Sequence, residues 1–306
     1  MTARLRELLR SLRDGYRQTL KAPEIEEPLD VIVYRPLAYL WVRLLERTVV
    51  TPNQVTLASI VVGLGAGWLL GLGTPASLRW GAVAVVVFNV LDCVDGMLAR
   101  VRGMRCPYGY VLDGLAGYIG TVAIVLGLGR AVVIQHGDPA TWWAIVFVAG
   151  VSMAWWCAVV DGLRLEWMRR VYGRRQDRAA ELAELTETAA IWRREGTHRA
   201  QRLLVACYAI YARLWEGRSA RERLAPAPED AVPVAEWAAG YRPLLRLAVL
   251  AGPTMQLTGV AVAAACLRPE WLLLGALFAG NAWGAGVLVA RLVVRRRLLA
   301  VPFEEV

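Results

Sequence analysis

Six apolar stretches, each long enough or nearly so to cross a hydrocarbon core of about 30 Å, constrain this chain more than any single motif does. They lie at about 54–73, 77–98, 108–134, 141–161, 244–267 and 270–292. A chain of 306 residues with 57% hydrophobic content has enough material for a sizeable core and is too apolar for an ordinary soluble domain. The expected fold is an all-α membrane protein, a six-transmembrane-helix bundle.

Charge sets the expected orientation. Basic residues outnumber acidic ones 35 to 26, and Lys21 is the only lysine. Such an excess serves nucleic acid, anionic lipid or phosphorylated substrates, and its position along the chain decides among them. The arginines of the N-terminal segment, of "RVRGMR" (Arg100 to Arg105), of the long 162–242 segment and of "RRR" (Arg295 to Arg297) all fall on one side of the spans. The other side has only "GTPASLR", "QHGDPA" and "LRPE". The positive-inside bias then puts both termini in the cytoplasm, with membrane lipids and no nucleic acid as partners. Cys93, Cys106, Cys157, Cys207 and Cys266 form no CxxC pair, and only His136 and His198 could join them, which argues against a zinc or disulfide framework. Residues 1–50 are charged and amphipathic and do not read as a secretory signal.

Four regions follow. Residues 1–50 are expected to form cytoplasmic N-terminal and interfacial helices, because Asp30 to Val50 mixes aromatic and aliphatic residues with arginines; the alternative is a cytosolic helix packed on the bundle. Residues 51–162 hold spans one to four, opened by the turn and helix-start signal "TPN" at Thr51 to Asn53. Residues 163–242 are expected to be a cytoplasmic helical insertion between spans four and five, with two helices and a Pro-rich linker. In its second helix Leu203, Leu204, Cys207, Ile210, Tyr211 and Leu214 share a face, which suits a membrane-surface or bundle-covering helix. Residues 243–306 hold spans five and six and a basic tail.

The chemistry gathers between the second and third spans. Asp92 and Asp95 lie one helical turn apart near the cytoplasmic end of the second span, and Asp113 lies near the start of the third. The short connection from Arg100 to Tyr108 brings the two ends to one depth. Carboxylates beside lipid are costly unless protons, arginines or metal ions neutralise them. Oxygen ligands alone select Mg²⁺, Mn²⁺ or Ca²⁺ over zinc; ion pairs with Arg100, Arg102 and Arg105 are the bland alternative. Gly96, Ala99, Gly109 and Gly114 leave room for a ligand to approach the backbone, or let helices pack closely. Small residues and aspartates in one place favour a metal-bound phosphate site.

The run "DCVDGMLAR" followed, after eight residues, by "GYVLDGLAG" resembles the signature of the CDP-alcohol phosphotransferases, D-x2-D-G-x2-A-R-x8-G-x3-D-x3-D. Asp92, Asp95, Gly96, Ala99, Arg100, Gly109 and Asp113 keep every spacing, and "TPNQVT" before the first span agrees more weakly. The resemblance implies transfer of a substituted phosphate from a CDP-linked lipid donor, often CDP-diacylglycerol, to an alcohol acceptor, with release of CMP, in phospholipid or polar-headgroup synthesis. It further implies Mg²⁺ or Mn²⁺ held by Asp92, Asp95 and Asp113, a nucleotide beside Gly96, Ala99 and Gly109, a phosphate or interfacial role for Arg100, a cytoplasmic active site and a homodimer. One position departs: Gly117 stands where the family has its last aspartate, the usual candidate for the base. Asp161, at the cytoplasmic end of the fourth span, is the candidate replacement, with a pair to Arg164 as its alternative role. Arg164, Arg169 and Arg170 suit a phosphate on lipid or acceptor. Two competing readings are a catalytically impaired relative with a lipid- or nucleotide-binding role, and a cation transporter, against which the clustering at one membrane face counts. Asn281, in mid-span six, is expected to hydrogen-bond between helices.

Overall fold

The computed structural model describes residues 15–16, 24–104, 109–173, 178–199, 201–203, 205–206, 209 and 231–300. Among the described residues, six helices are long and apolar enough to cross a membrane: Pro52–Gly71, Pro75–Val101, Leu112–His136, Pro139–Tyr172, Val234–Ala265 and Glu270–Leu299. They are called the first to sixth spans below. A shorter helix, Arg35–Leu45, precedes them and continues from a π-helical turn at Asp30–Tyr34. A further helix, Arg178–Arg194, follows the fourth span. Leu204, Cys207, Ile210, Tyr211 and Leu214 of the expected apolar stripe, the Pro-rich linker and Arg105 lie outside the described residues, while Leu203 is exposed.

Local chemistry fixes the helix starts. Thr51 and Thr74 each close a capping box, with Gln54 and Ser77 respectively, and each is followed by proline at the first helical position. The third-span helix starts at Gly109. The fourth runs eleven residues past the end of its apolar stretch, to Tyr172, because Val160, Leu163 and Trp167 continue a buried face through the charged residues around them. Gly173, at φ 61°, ends it in the left-handed conformation.

The first and third spans make the closest crossing. Gly63, Gly67 and Gly71 repeat every fourth residue along one and face Gly120, Ala123 and Gly127 of the other. A Cβ on Gly67 would overlap the Ala123 carbonyl, and one on Gly127 would overlap the Gly67 carbonyl. Without a hydrophobic drive between helices in lipid, such small-residue contact is what brings backbones together. Phe88, Leu70, Ile124 and Leu128 fill the core beside it. Outward-facing Trp68, Trp80, Phe147 and Phe278 remain exposed, as suits a surface solvated by lipid.

The fifth span is broken. Its first part, Val234–Ala248, contains Pro243 and carries Trp237, Tyr241, Leu244 and Leu245 on a buried face, so it begins ten residues before the apolar stretch does. A 3-10 turn at Val249–Ala251 and the extended Gly252 separate it from the second part, Pro253–Ala265. In the sixth span, Asn281 Oδ1 accepts from Ser152 Oγ (2.6 Å) and Trp156 Nε1 (2.8 Å), bonding the sixth span to the fourth.

Candidate active site

The second span carries Asp92, Asp95, Gly96, Ala99 and Arg100 through its last three turns. Asp95 is buried, and its Oδ2 accepts a hydrogen bond from Thr56 Oγ1 at 2.6 Å while its Oδ1 accepts from the Gly96 N–H. Thr56 is the last residue of "TPNQVT", so the two matching motifs meet at one carboxylate. Asp92 and Asp113 are half-buried, as are Ala99, Arg100 and Gly117. The Arg100 guanidinium lies over Gly96, with Nη1 3.5 Å from where a Cβ on that glycine would stand. The surroundings of Gly109 lie outside what is described, although its backbone opens the third-span helix.

The arginines nearby have distinct duties. Arg102 donates to the carbonyls of Leu45, Thr48 and Val50, which fastens the end of the pre-span helix and its connection to the end of the second span. Arg164 donates to Ile25 O (3.0 Å), to Glu27 Oε1 (3.0 Å) and, more weakly, to Asp161 Oδ1 (3.4 Å). It therefore clamps the N-terminal segment to the fourth span. The Asp161 side chain is about half exposed, and its electrostatic surroundings are those of Cys157, Glu27 and Arg164. Arg100 instead shares its field with Asp113, Cys93, Glu26 and Arg35. The structure thus gathers Asp92, Asp95, Arg100 and Asp113 in one neighbourhood and sets Asp161 and Arg164 in an adjoining one. Arg170 stacks over Trp237 at 4.6 Å from the ring centroid.

Between the two neighbourhoods lies a set of residues with no motif to announce them: Glu26, Glu27, Asp30 and Arg35. Glu27 is almost wholly buried and accepts from Arg164 and from the Met255 N–H (2.9 Å), at the positive end of the half-helix Pro253–Ala265. A Cβ at Gly252 would overlap the Glu27 carboxylate, so any larger residue there displaces it. Asp30 Oδ1 accepts from Thr254 Oγ1 (2.9 Å) on the same turn. Burial drives the Glu27 carboxyl up to about 7 against the pull of Arg164, and burial raises Asp30 as well. Arg35 Nη2 pairs with Glu26 Oε2 at 2.7 Å. Glu26 also lines a cleft of about 470 Å³ with Glu24, Pro28, Val31, Arg242, Arg246 and Val249. The one available sequence signal was the mixture of acids and arginines ahead of the first span, and it carried no spacing rule.

Three carboxylates of oxygen-only character fit a hard divalent cation by donor chemistry. Among the described residues, no three His, Cys, Asp or Glu side chains stand close enough to hold an ion without rearrangement.

Signature, burial and helix placement together define an integral, multi-pass membrane protein with an acidic site at the ends of its second and third spans. Residues 49–184 match the CDP-alcohol phosphatidyltransferase family. Among curated relatives, it is 36% identical over 99 residues to a phosphatidylinositol phosphate synthase of Mycolicibacterium smegmatis, covering 32% of this chain and 38% of the relative. It is 34% identical over 119 residues to one of Corynebacterium glutamicum, covering 39% and 46%. A ceramide phosphoethanolamine synthase of Drosophila melanogaster is 33% identical over 88 residues, covering 26% and 22%. The chain spans less than half the length of each of these relatives.

Proposed function

We propose that the chain is a membrane phosphotransferase that moves a substituted phosphate from a CDP-linked donor, CDP-diacylglycerol in the leading case, to the hydroxyl of an alcohol, releasing CMP. The observation that carries this reading is Asp95, a signature aspartate buried against Thr56 of the second matching motif. An aspartate held that firmly, beside Asp92 and near the start of the third span, is a preorganised ligand. Similarity to the two bacterial phosphatidylinositol phosphate synthases supports a phosphorylated inositol as acceptor.

In this reading Asp92, Asp95 and Asp113 hold Mg²⁺ or Mn²⁺. When bound, the metal withdraws charge from the donor diphosphate and from the departing CMP. Thr56 fixes the rotamer of Asp95 by donating to Oδ2. Gly96, Ala99 and Gly109 leave space for the nucleotide, and Arg100 faces its phosphates. The acceptor oxygen forms a new bond to phosphorus as the phosphorus–oxygen bond to CMP breaks, and the hydroxyl proton passes to a base, for which Asp161 is the proposed residue. The arginine asymmetry supports cytoplasmic termini and a cytoplasmic site. The exposed Leu37, Leu40, Trp41 and Leu44 on the pre-span helix support its lying in the membrane interface. The family supports a homodimer.

The test is CMP release by purified full-length protein given CDP-diacylglycerol, Mg²⁺ and, in separate reactions, inositol phosphate, inositol, glycerol phosphate or serine. Inositol phosphate is expected to give the fastest release, with a matching lipid product. No CMP from any acceptor, in protein that still binds CDP-diacylglycerol, would favour the impaired-relative reading.

A further inference from the structure

Arg35 lies on the face of the pre-span helix that also buries Ala38, Tyr39 and Val42 against Val90, Val94 and Met97 of the second span. Its side chain is only 10% exposed, and among the described residues it forms an ion pair with Glu26, through Nη2. Nε and Nη1 are buried and have no hydrogen-bond partner among the described residues. A guanidinium stripped of water on two of its three nitrogens is strained electrostatically unless something accepts from them.

The surroundings say what that acceptor is. Arg35 and Glu26 act on Arg100 together with Asp113, and on Cys93 together with Asp92, so Arg35 adjoins the signature residues. Two guanidiniums, Arg35 and Arg100, share that space with the carboxylates of Glu26, Asp92 and Asp113, of which Glu26 pairs with Arg35. Where those carboxylates hold a divalent cation, the open Arg35 donors are left for an anionic ligand of the same site. The planar fork of Arg matches phosphate oxygens in geometry as well as charge.

We propose that Arg35, oriented by Glu26, is a phosphate-binding residue of the substrate site, its Nε and Nη1 donating to phosphate oxygens. The inference rests on the phosphotransferase reading for the identity of the substrate, but not for the existence of the anion site. Two sources share the chemistry: the diphosphate of the CDP-linked donor, and the phosphate of a phosphorylated acceptor. The cleft that Glu26 lines with Arg242 and Arg246 gives the second source a place to extend.

The experiment compares the parent with Arg35→Gln and Arg35→Lys as purified full-length protein in lipid–detergent micelles. Binding is read first, without turnover, as protection from thermal unfolding by inorganic phosphate, by CDP-diacylglycerol and by inositol phosphate. Kinetics follow as separate KM values for donor and acceptor. Arg35→Gln is expected to weaken inorganic phosphate binding by about tenfold or more. If the donor supplies the phosphate, CDP-diacylglycerol binding and its KM weaken in step while the acceptor KM holds. If the acceptor supplies it, inositol phosphate weakens and CDP-diacylglycerol does not. Should Arg35→Gln not fold, Arg35→Lys carries the test, since it keeps the charge beside Glu26 but loses the fork, and the same binding is expected to weaken. A folded variant that binds all three probes as the parent does overturns the proposal and leaves Arg35 a packing ion pair. A parent with no turnover whose phosphate protection still depends on Arg35 overturns the phosphotransferase reading alone.

Discussion

Gly117 and Gly252 show how differently a missing side chain is used. At Gly252 a Cβ would strike the buried Glu27 carboxylate, so a side chain there displaces it from its partners. At Gly117, where the family signature has its last aspartate, a Cβ would meet no atom within 4 Å. The space at Cβ is open, and replacing a helical glycine by aspartate recovers about a few tenths of a kcal/mol of helix cost. A positioned base is worth about 10²–10⁴-fold in rate. Gly117→Asp is therefore expected to fold normally and to raise the rate of CMP release, measured with donor and acceptor both saturating. If Asp161 is the base in the parent, Asp161→Asn lowers turnover by a similar factor with CDP-diacylglycerol binding unchanged, and Gly117→Asp restores part of it. Unchanged turnover in Asp161→Asn would confine that residue to its pair with Arg164.

At the level of the element, the number and order of the spans were legible from hydropathy, and their full lengths and interfaces were not. The first span is apolar all round, so its sequence does not reveal which side meets the third. The structure assigns that side to Gly63, Gly67 and Gly71. Gly67→Ala is expected to destabilise the protein by about 1–3 kcal/mol, because its methyl meets backbone and not the end of a flexible side chain. Gly65→Ala, two residues away, points into open space and is expected to be neutral or slightly stabilising. Apparent unfolding temperatures in one detergent would separate the two. Equal values for both would contradict a close first-to-third crossing. The break in the fifth span was written as Gly252 and Pro253, yet its purpose was not: it turns a helix N-terminus toward Glu27 and Asp30.

Across the whole molecule, the segment before the first span acts as a clasp. Glu27 reaches Arg164 of the fourth span and Met255 of the fifth, Tyr34 bonds Thr258 (2.8 Å), and Arg102 returns from the second span to the carbonyls of Leu45, Thr48 and Val50. Part of this clasp is sensitive to pH. Glu27 has a folded-state pKa of about 7 against an ordinary 4.5, with burial as the leading cause. Between those values the folded chain holds more proton than the unfolded one, so the contribution to stability is full below about 4.5 and is lost as pH rises through about 7. The apparent unfolding temperature of the parent is expected to fall over that window, and Glu27→Gln, neutral at every pH, is expected to flatten the fall. An equal slope in both proteins would show that another group dominates the window.

Sequence alone determined the number of spans, because about twenty consecutive apolar residues satisfy the bilayer whatever surrounds them. It also determined the second-to-third-span placement of the acidic motif, because that spacing lies within one continuous stretch of chain from Asp92 to Asp113. Only the tertiary structure decided the partners separated by long stretches: Thr56 on Asp95, Arg164 on Glu27 and Thr254 on Asp30. Hydropathy and motif spacing are local quantities, whereas a buried charge chooses its partner by which helices cross nearby. That choice is made by the packing of six helices and the segment laid against them, and no run of neighbouring residues encodes it.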